Sequence, residues 1–464
     1  MPGIGLGDVL SILLLAASLA VMMLGFGVAF ALAAIGTLFA AIGSTLGIFE
    51  WRLLHALPGR YFAVMQNEVL VAVPLFIFMG TVLERSGIAE ELLETAGRLF
   101  GRLNGGVAIS VVIVGAVFAA STGIVGAAVV TMGMISLPLM MRIGYDARVA
   151  TGTICASATL AQIIPPSTIL IFLGDMLQAA NGQAQMKKGN MAPDPVSTGD
   201  LFFGALIPGV LLAVLYIVWI ALVAFARPGA CPAIPGDPAG GRGLAWRVLR
   251  ALLPPLALVV AVLGSILAGI ATPTESAAVG TIAAMALAAS RGRLDLRMLA
   301  GVAQTTTRLS SMAFLLLFGA SVFILVFRGL GGDMLVEGVL HALPGGLPAA
   351  TAVVMALVFV LGMFLDPFEI IFIVIPIAGP ALITLGADPL WLGVMVAVNL
   401  QTSFLTPPFG FSLFYLRSVT PKEISTGEIY RGIVPFVAIQ LLMLGIIWVF
   451  PQLTTALPRY VFGY

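Results

Sequence analysis

The chain has 464 residues, of which 60% are hydrophobic and only 9% are charged, and its mean hydropathy is +1.12. A soluble domain carries roughly 25% charged residues, so this composition excludes an ordinary soluble protein and indicates a chain whose main solvent is lipid. The net charge of +1 gives no sign of nucleic-acid binding. Two distant cysteines, Cys155 and Cys231, suggest neither a disulfide framework nor a metal site.

Apolar segments of membrane length recur along the first half. Spans are predicted near residues 8–26, 27–48, 67–84 and 201–226, each close to the roughly 20 residues that a helix needs to cross a bilayer. The first segment has Asp8 where a signal peptide has basic residues, and it continues directly into a second span. We therefore expect a membrane helix there.

Two irregular segments lie between the third and the last of these spans. The apolar stretch at about 105–141 is too long for one helix and carries Ala-Ser-Thr-Gly123 near its middle. It either crosses twice or returns to the side that it entered, and small polar residues at the turn favour a re-entrant helical hairpin. The segment at about 148–177 contains Pro165 and Pro166. Proline removes a backbone donor and clashes with the carbonyl one turn back, so this helix is predicted to break near mid-membrane.

The second half repeats this order. Residues 227–244 are rich in Pro and Gly and are predicted to form a cytoplasmic linker. Residues 245–464 then carry a second hairpin at about 347–385 and a second broken helix at about 389–418. Together with residues 1–226 they are predicted to form a tandem repeat.

One offset, 242 residues (407 − 165 = 242), relates the two halves. It takes Pro138 to Pro380, Gly144 to Gly386, Asp146 to Asp388, Pro165 to Pro407 and Pro166 to Pro408. Five crossings plus one even excursion in each half would turn the second half upside down, so we predict two inverted repeats.

The distribution of basic residues tests this topology. In the predicted arrangement 16 of the 22 Lys and Arg residues fall on one side and six on the other. The side with the excess is predicted to be cytoplasmic, and both termini are then periplasmic. The six residues of the other side are Arg52, Arg60, Lys187, Lys188, Arg328 and Arg459.

The centre of the second hairpin has the sequence pattern of a helix start. Asp366 suits the N-cap, Pro367 the first helical position, and Glu369 can complete a capping box, so residues 362–365 form the predicted tip. In the first hairpin Ser121 is the predicted cap.

Four helix ends are thus expected to converge near the midplane, from two hairpin tips and two breaks. Helix N-termini carry partial positive charge, which favours an anionic substrate. Unwound carbonyls, together with the hydroxyls of Ser121, Thr122, Thr402 and Thr406, can replace the hydration shell of a small cation. Each half is predicted to build one cation site, and Asp366 adds a full negative charge to the second.

Five stretches carry a resemblance to a known family: Asn67–Gly80, Ile163–Thr168, Thr272–Gly280, Gly362–Pro367 and Thr406–Gly410. Through them the chain resembles, over essentially its whole length, the large (DctM-like) membrane subunit of a tripartite ATP-independent periplasmic (TRAP) transporter. The resemblance implies an all-α polytopic protein of the bacterial inner membrane that imports an organic anion, often a carboxylate, by an elevator motion. It further implies a small four-helix membrane subunit and a periplasmic binding protein as partners, with Na⁺ as the coupling ion and no other cofactor.

The resemblance also assigns residues to sites. It implies sodium-binding residues at Ser121, Thr122, Gly123, Ile163, Pro165, Gly362, Leu365, Asp366, Thr402, Leu405 and Thr406. It implies substrate-binding residues at Pro166, Ser167, Thr168, Pro408, Phe409 and Gly410.

Two other functions compete with this prediction. One is a stand-alone sodium–dicarboxylate symporter or ion exchanger of related fold. The other is an intramembrane protease, which needs a Ser–His or paired-Asp arrangement. Neither His55 nor His341 lies in a predicted span, and Asp366 has no predicted intramembrane Asp partner, so we expect no enzyme.

Overall fold

The computed structural model describes residues 5–122, 125–192, 194–234 and 242–462, and these residues form helices and turns without a strand. The first half contains α1 (Leu6–Met23), α2 (Val28–Thr45), α3 (Leu57–Met65), α4 (Glu68–Arg85), α5 (Ile88–Phe100), α6 (Gly106–Thr122), α7 (Val125–Ile143), α8 (Ala147–Thr159), α9 (Thr168–Lys187) and α10 (Thr198–Ala226). The second half contains α11 (Arg242–Leu267), α12 (Pro273–Ser290), α13 (Leu296–Gly329), α14 (Gly332–His341), α15 (Gly346–Gly362), α16 (Pro367–Thr384), α17 (Pro389–Leu405), α18 (Phe411–Val419), α19 (Thr426–Val449) and α20 (Gln452–Phe462).

Seven helices of the described chain are long and apolar enough to cross a membrane, namely α1, α2, α7, α10, α13, α16 and α19. The segment Trp51–Met65 and helix α4, bent by 54° where they join, pass the same test as a pair. The prediction of an all-α polytopic membrane protein is therefore confirmed.

Helix breaks occur where the sequence has its paired prolines. Helix α8 ends at Thr159, a short 3-10 turn follows, and α9 begins only at Thr168, while α17 ends at Leu405 and α18 begins at Phe411. Both Pro–Pro peptide bonds are cis. Because proline has no backbone N–H, neither helix can continue its hydrogen-bond ladder through these positions.

Each predicted hairpin consists of two helices in contact with each other. Helix α6 contacts α7 and α15 contacts α16; residues 123–124, between the first two, lie outside the described chain, and residues 363–366 separate the other two. The second arms, α7 and α16, pack against the broken segments, since α7 contacts α8 and α16 contacts α9. The hairpins and the broken helices thus share one packed region.

The two halves are interleaved. Helix α4 packs on α12, and α2 packs on α13. Helix α8 meets α19 at two glycines, where a Cβ on Gly152 would lie 2.1 Å from the Gly432 carbonyl oxygen and a Cβ on Gly432 would lie 2.2 Å from the Arg148 carbonyl oxygen. Such contact of backbone with backbone requires residues without side chains.

Polar contacts group by the predicted side of the membrane. At the end predicted to be external, Lys187 pairs with Glu337, Arg459 pairs with Asp388 at 3.1 Å, and Arg328 donates to Gln183 at 2.7 Å. At the end predicted to be cytoplasmic, Arg291 pairs with Glu91, and Arg85 donates to Thr305 at 3.2 Å. Residues assigned to the same side therefore bond to each other.

Candidate functional site

The tip of the second hairpin has the capping box that the sequence predicts. An Asp366 carboxylate oxygen accepts a hydrogen bond from the Phe368 amide at 3.0 Å, and Glu369 accepts one from the Asp366 amide at 3.1 Å. Pro367 occupies the first helical position, where its missing N–H costs nothing. Asp366 is thereby fixed at the N-terminus of α16.

The tip of the first hairpin differs from the prediction. Ser121 and Thr122 are helical and are the last described residues of α6, and the described part of α7 starts at Val125. Ser121 is itself helical, whereas an N-cap residue is not, so it does not have the conformation of the predicted cap. Gly123, the third residue implied for sodium at this tip, lies outside the described residues.

The first break is deeply buried. Ile163 and Ser167 are both 0% exposed, and the Ser167 hydroxyl donates to the Gln162 carbonyl at 2.9 Å. This hydroxyl does not cap α9, whose first turn therefore has no side-chain cap. Pro165 and Pro166 have no backbone N–H to donate to the carbonyls of residues 161 and 162, and the Gln162 carbonyl accepts from the Ser167 hydroxyl instead.

The second break lies directly against the second tip. A Cβ on Gly362 would be 2.0 Å from the Ser403 hydroxyl oxygen and 2.6 Å from its Cβ, so glycine permits this approach. Thr402 donates to the Val398 carbonyl at 2.7 Å, and Thr406 donates to the Thr402 carbonyl at 2.8 Å. Both threonine oxygens keep lone pairs that can accept. The nearby Leu365 and Leu405 are buried.

The three residues after Pro407 have other surroundings than their counterparts in the first half. Phe409 is 62% exposed, and its ring packs edge-on against Phe364 with centroids 5.7 Å apart. The Pro408 carbonyl accepts from the Tyr430 hydroxyl at 3.1 Å, and Gly410 has φ 45°, a conformation that glycine adopts without strain.

A cavity of about 430 Å³ lies where three helices begin. Its lining includes Thr168 and Pro367, the first residues of α9 and α16, and Val125, the first described residue of α7. Asp366 and Gln162 also line it. Of the residues implied for substrate, Thr168 lines this cavity, and of those implied for sodium, Asp366 does. The structure thus brings three of the four predicted helix starts to one space.

A second cavity, of about 810 Å³, adjoins the first. The two share Leu309, Met312, Asp366 and Tyr415 in their linings. The larger cavity also contacts the loop between α1 and α2 and the early part of α13, including Arg308. It therefore joins the second hairpin tip to the end of the molecule that is predicted to be cytoplasmic.

Sequence reasoning did not select Gln162. Its side chain is 0% exposed, and neither its amide nitrogen nor its amide oxygen has a hydrogen-bond partner in the described part of the chain. The detectable signal was an amide side chain in an apolar run, three residues before Pro165. A second glutamine, Gln401, donates to the Thr159 hydroxyl at 3.3 Å, and these two residues are themselves related by the 242-residue offset (401 − 159 = 242).

Comparisons with known proteins agree with this architecture. The family model described as the tripartite ATP-independent periplasmic transporter, DctM component, matches residues 14–453. The chain is 30% identical to the C4-dicarboxylate TRAP transporter large permease protein DctM of Vibrio cholerae, over 89% of this chain and 88% of that one. It is 26% identical to the ectoine TRAP transporter large permease protein TeaC of Halomonas elongata, over 97% and 99%. The crystal structure of the YdaH transporter of Alcanivorax borkumensis has a similar fold, with a TM-score of 0.59 at 15% identity over 86% and 88%.

Proposed function

The chain belongs to the DctM family of TRAP transporters, and from this membership we propose that it imports an organic anion, a carboxylate, by coupling the movement of the anion to that of sodium. As a multi-pass transporter subunit it is not an enzyme. One observation carries the proposal: three helix N-termini and Asp366 line a single cavity between the two hairpins.

Anion binding is supported by the electrostatics of this cavity. Each helix N-terminus is equivalent to roughly half a positive charge, which comes from backbone N–H groups without intrahelical partners. The Ser167 side chain does not cap the first turn of α9, and the start of this helix lines the cavity, so its N-terminus is suited to an anion. Asp366 already caps α16, which makes α9 the stronger anion site of the two.

Sodium binding is supported by the oxygen atoms gathered at each break. In the second half, Gly362 of the tip contacts Ser403, which follows Thr402 and lies three residues before Thr406 in the second break. Asp366 supplies a negative charge at the same tip. In the first half, Ile163 and Pro165 offer backbone carbonyls directly after the turn Leu160–Gln162, which contacts α6.

Alternating access is supported by a difference between the two ends of the site: one is held by hydrogen bonds and the other opens into a cavity. At the end predicted to be external, Asn67 of α4 donates to Asp175 of α9 at 2.6 Å, and Arg328 bonds to Gln183. At the opposite end the 810 Å³ cavity reaches Asp366. We propose that this is an inward-facing state, and that the hairpins and broken helices move as one body, an elevator, against the remaining helices.

An inverted repeat is supported by the helix contacts. Helices α2 and α4 of the first half correspond in order to α12 and α13 of the second. The pairs α4–α12 and α2–α13 are then one contact repeated. We propose that residues 1–226 and 245–464 are inverted copies, with the linker on the cytoplasmic side and both termini in the periplasm of a bacterial inner-membrane protein.

Reconstitution tests the proposed function. Proteoliposomes would contain the chain with its small four-helix subunit, and the periplasmic binding protein would be added outside with radiolabelled succinate or phenylacetate. Uptake should require an inward sodium gradient and should stop when choline replaces sodium. Uptake that persists in choline would overturn sodium coupling. Sodium-driven uptake without the binding protein would identify a stand-alone symporter instead.

A further inference from the structure

The cavity of about 430 Å³ is lined by four polar side chains, Gln162, Thr168, Asp366 and Tyr415, among apolar ones. Gln162 and Thr168 flank the first break, where α9 starts. Phe172, Phe368 and Phe404 are part of the apolar wall, and the rings of Phe172 and Phe368 pack edge to face with centroids 5.4 Å apart. The volume falls within the roughly 300–1,000 Å³ of small-molecule sites.

Gln162 is the group in this cavity whose hydrogen bonds are missing. A buried amide without partners costs about 1–3 kcal/mol for each unsatisfied group, and buried polar groups are otherwise almost always paired. Gln162 has both a free donor and a free acceptor, and it adjoins the uncapped first turn of α9. A carboxylate placed there would accept from the amide nitrogen and from backbone N–H groups at once.

A second carboxylate on the same ligand has no comparable place. Among the described residues that line this cavity there is no Lys, Arg or His, while Asp366 contributes a negative charge. Within this cavity a dianion would bring its second charge close to Asp366 or to the aromatic wall, and burying a charge without a partner is costly. An apolar body matches that wall instead.

The 242-residue repeat gives a further argument for a ligand with two different ends. The 242-residue offset takes Gln162 to Phe404 (404 − 162 = 242), and both side chains line the same cavity. At equivalent positions the two halves therefore present an amide and an aromatic ring. A ligand with two like ends would suit two like residues, whereas this pair suits a ligand with one polar and one apolar end.

We propose that this cavity takes an organic monocarboxylate with an apolar or aromatic body, held by Gln162 and the first turn of α9 at its carboxylate and by Phe172, Phe368 and Phe404 at its body. The proposal rests on the proposed transport function and narrows its substrate class. Gln162 is its specificity-determining residue.

Isothermal titration of the purified full chain in detergent tests this, with phenylacetate and succinate as probes and with NaCl or choline chloride as the salt. In sodium, phenylacetate should bind at least about tenfold more tightly than succinate, because the second charge of succinate would be buried without a partner, and tenfold corresponds to only about 1.4 kcal/mol. Gln162→Leu should weaken phenylacetate binding about tenfold or more. Gln401→Leu is the matched control, because Gln401 is equally buried but is not among the residues that line the cavity, and it should leave the affinity unchanged.

A change at Phe404 gives an independent readout. Phe404→Gln puts an amide at both equivalent positions, and it should shift the preference toward succinate. Succinate binding that is sodium-dependent and tighter than that of phenylacetate in the wild-type chain would overturn the inference and leave the proposed function intact. Wild-type affinity of Gln162→Leu for phenylacetate would likewise overturn the inference and leave the proposed function intact. Phenylacetate binding that is equal in choline would overturn sodium coupling and leave the specificity of the cavity standing.

Discussion

Replacing Gly362 by alanine should displace the second hairpin tip from the second break. The added Cβ would lie 2.0 Å from the Ser403 hydroxyl oxygen, which can rotate away, and 2.6 Å from the Ser403 Cβ, which cannot. Ordinary contact between carbon atoms begins at about 3.5 Å, so the tip must move by about 0.9 Å. Overpacking of this kind costs about 1–3 kcal/mol, which corresponds to a sodium affinity about 5–150-fold lower.

The assay is the sodium activation curve of uptake in proteoliposomes. Gly362→Ala should shift its midpoint to higher sodium concentration, and adding Ser403→Gly should restore much of the loss, because that change removes both atoms that clash. Gly445→Ala is the control, since nothing lies within 4 Å of a Cβ at that position. A wild-type curve for Gly362→Ala, or a double variant no better than the single one, would refute the idea that this contact shapes the ion site.

Three further predictions concern the break, the charge and the topology. Pro165→Ala combined with Pro166→Ala should abolish transport while the protein still inserts and purifies normally, and normal uptake would rule out a role for the break. Asp366→Asn should weaken the sodium dependence of uptake, whereas an unchanged activation curve would leave Asp366 with a helix-capping role alone. Cysteines introduced by Arg142→Cys and Lys187→Cys should react with an impermeant maleimide from opposite faces of the membrane, and labelling of both from one face would contradict the topology.

The two native cysteines should not interfere with the labelling experiment. Cys155 and Cys231 are both buried and unpaired. Burial, with a smaller effect from the charge of Asp146, raises the pKa of the Cys231 thiol to about 11. Because the thiolate is the reactive form, this cysteine should stay unmodified at neutral pH.

Much of the fold could be predicted because lipid imposes strict rules on a chain. Long apolar segments in the sequence predicted α1, α2 and α10. The paired prolines predicted both helix breaks, because the effect of proline on backbone hydrogen bonds is local. The capping box at Asp366 was predictable for the same reason, as its hydrogen bonds span only three residues.

The details of the site depended on packing between distant segments, which no local pattern encodes. The offset equates Ser167 with Phe409, yet the first is completely buried and the second is mostly exposed. Ser121 was predicted as a cap, but it is helical, within α6. Gln162 was overlooked because only its surroundings show that a buried amide lacks partners.

The meeting of Gly152 with Gly432 has a consequence for biosynthesis. The two glycines are 280 positions apart (432 − 152 = 280), and a ribosome adds about 5–20 residues per second. The surface of α8 at Gly152 is therefore synthesised roughly 15–60 s before α19, the helix that packs against it. During that interval the nascent first half must reside in the bilayer with acyl chains, or a neighbouring protein, against the bare backbone of Gly152.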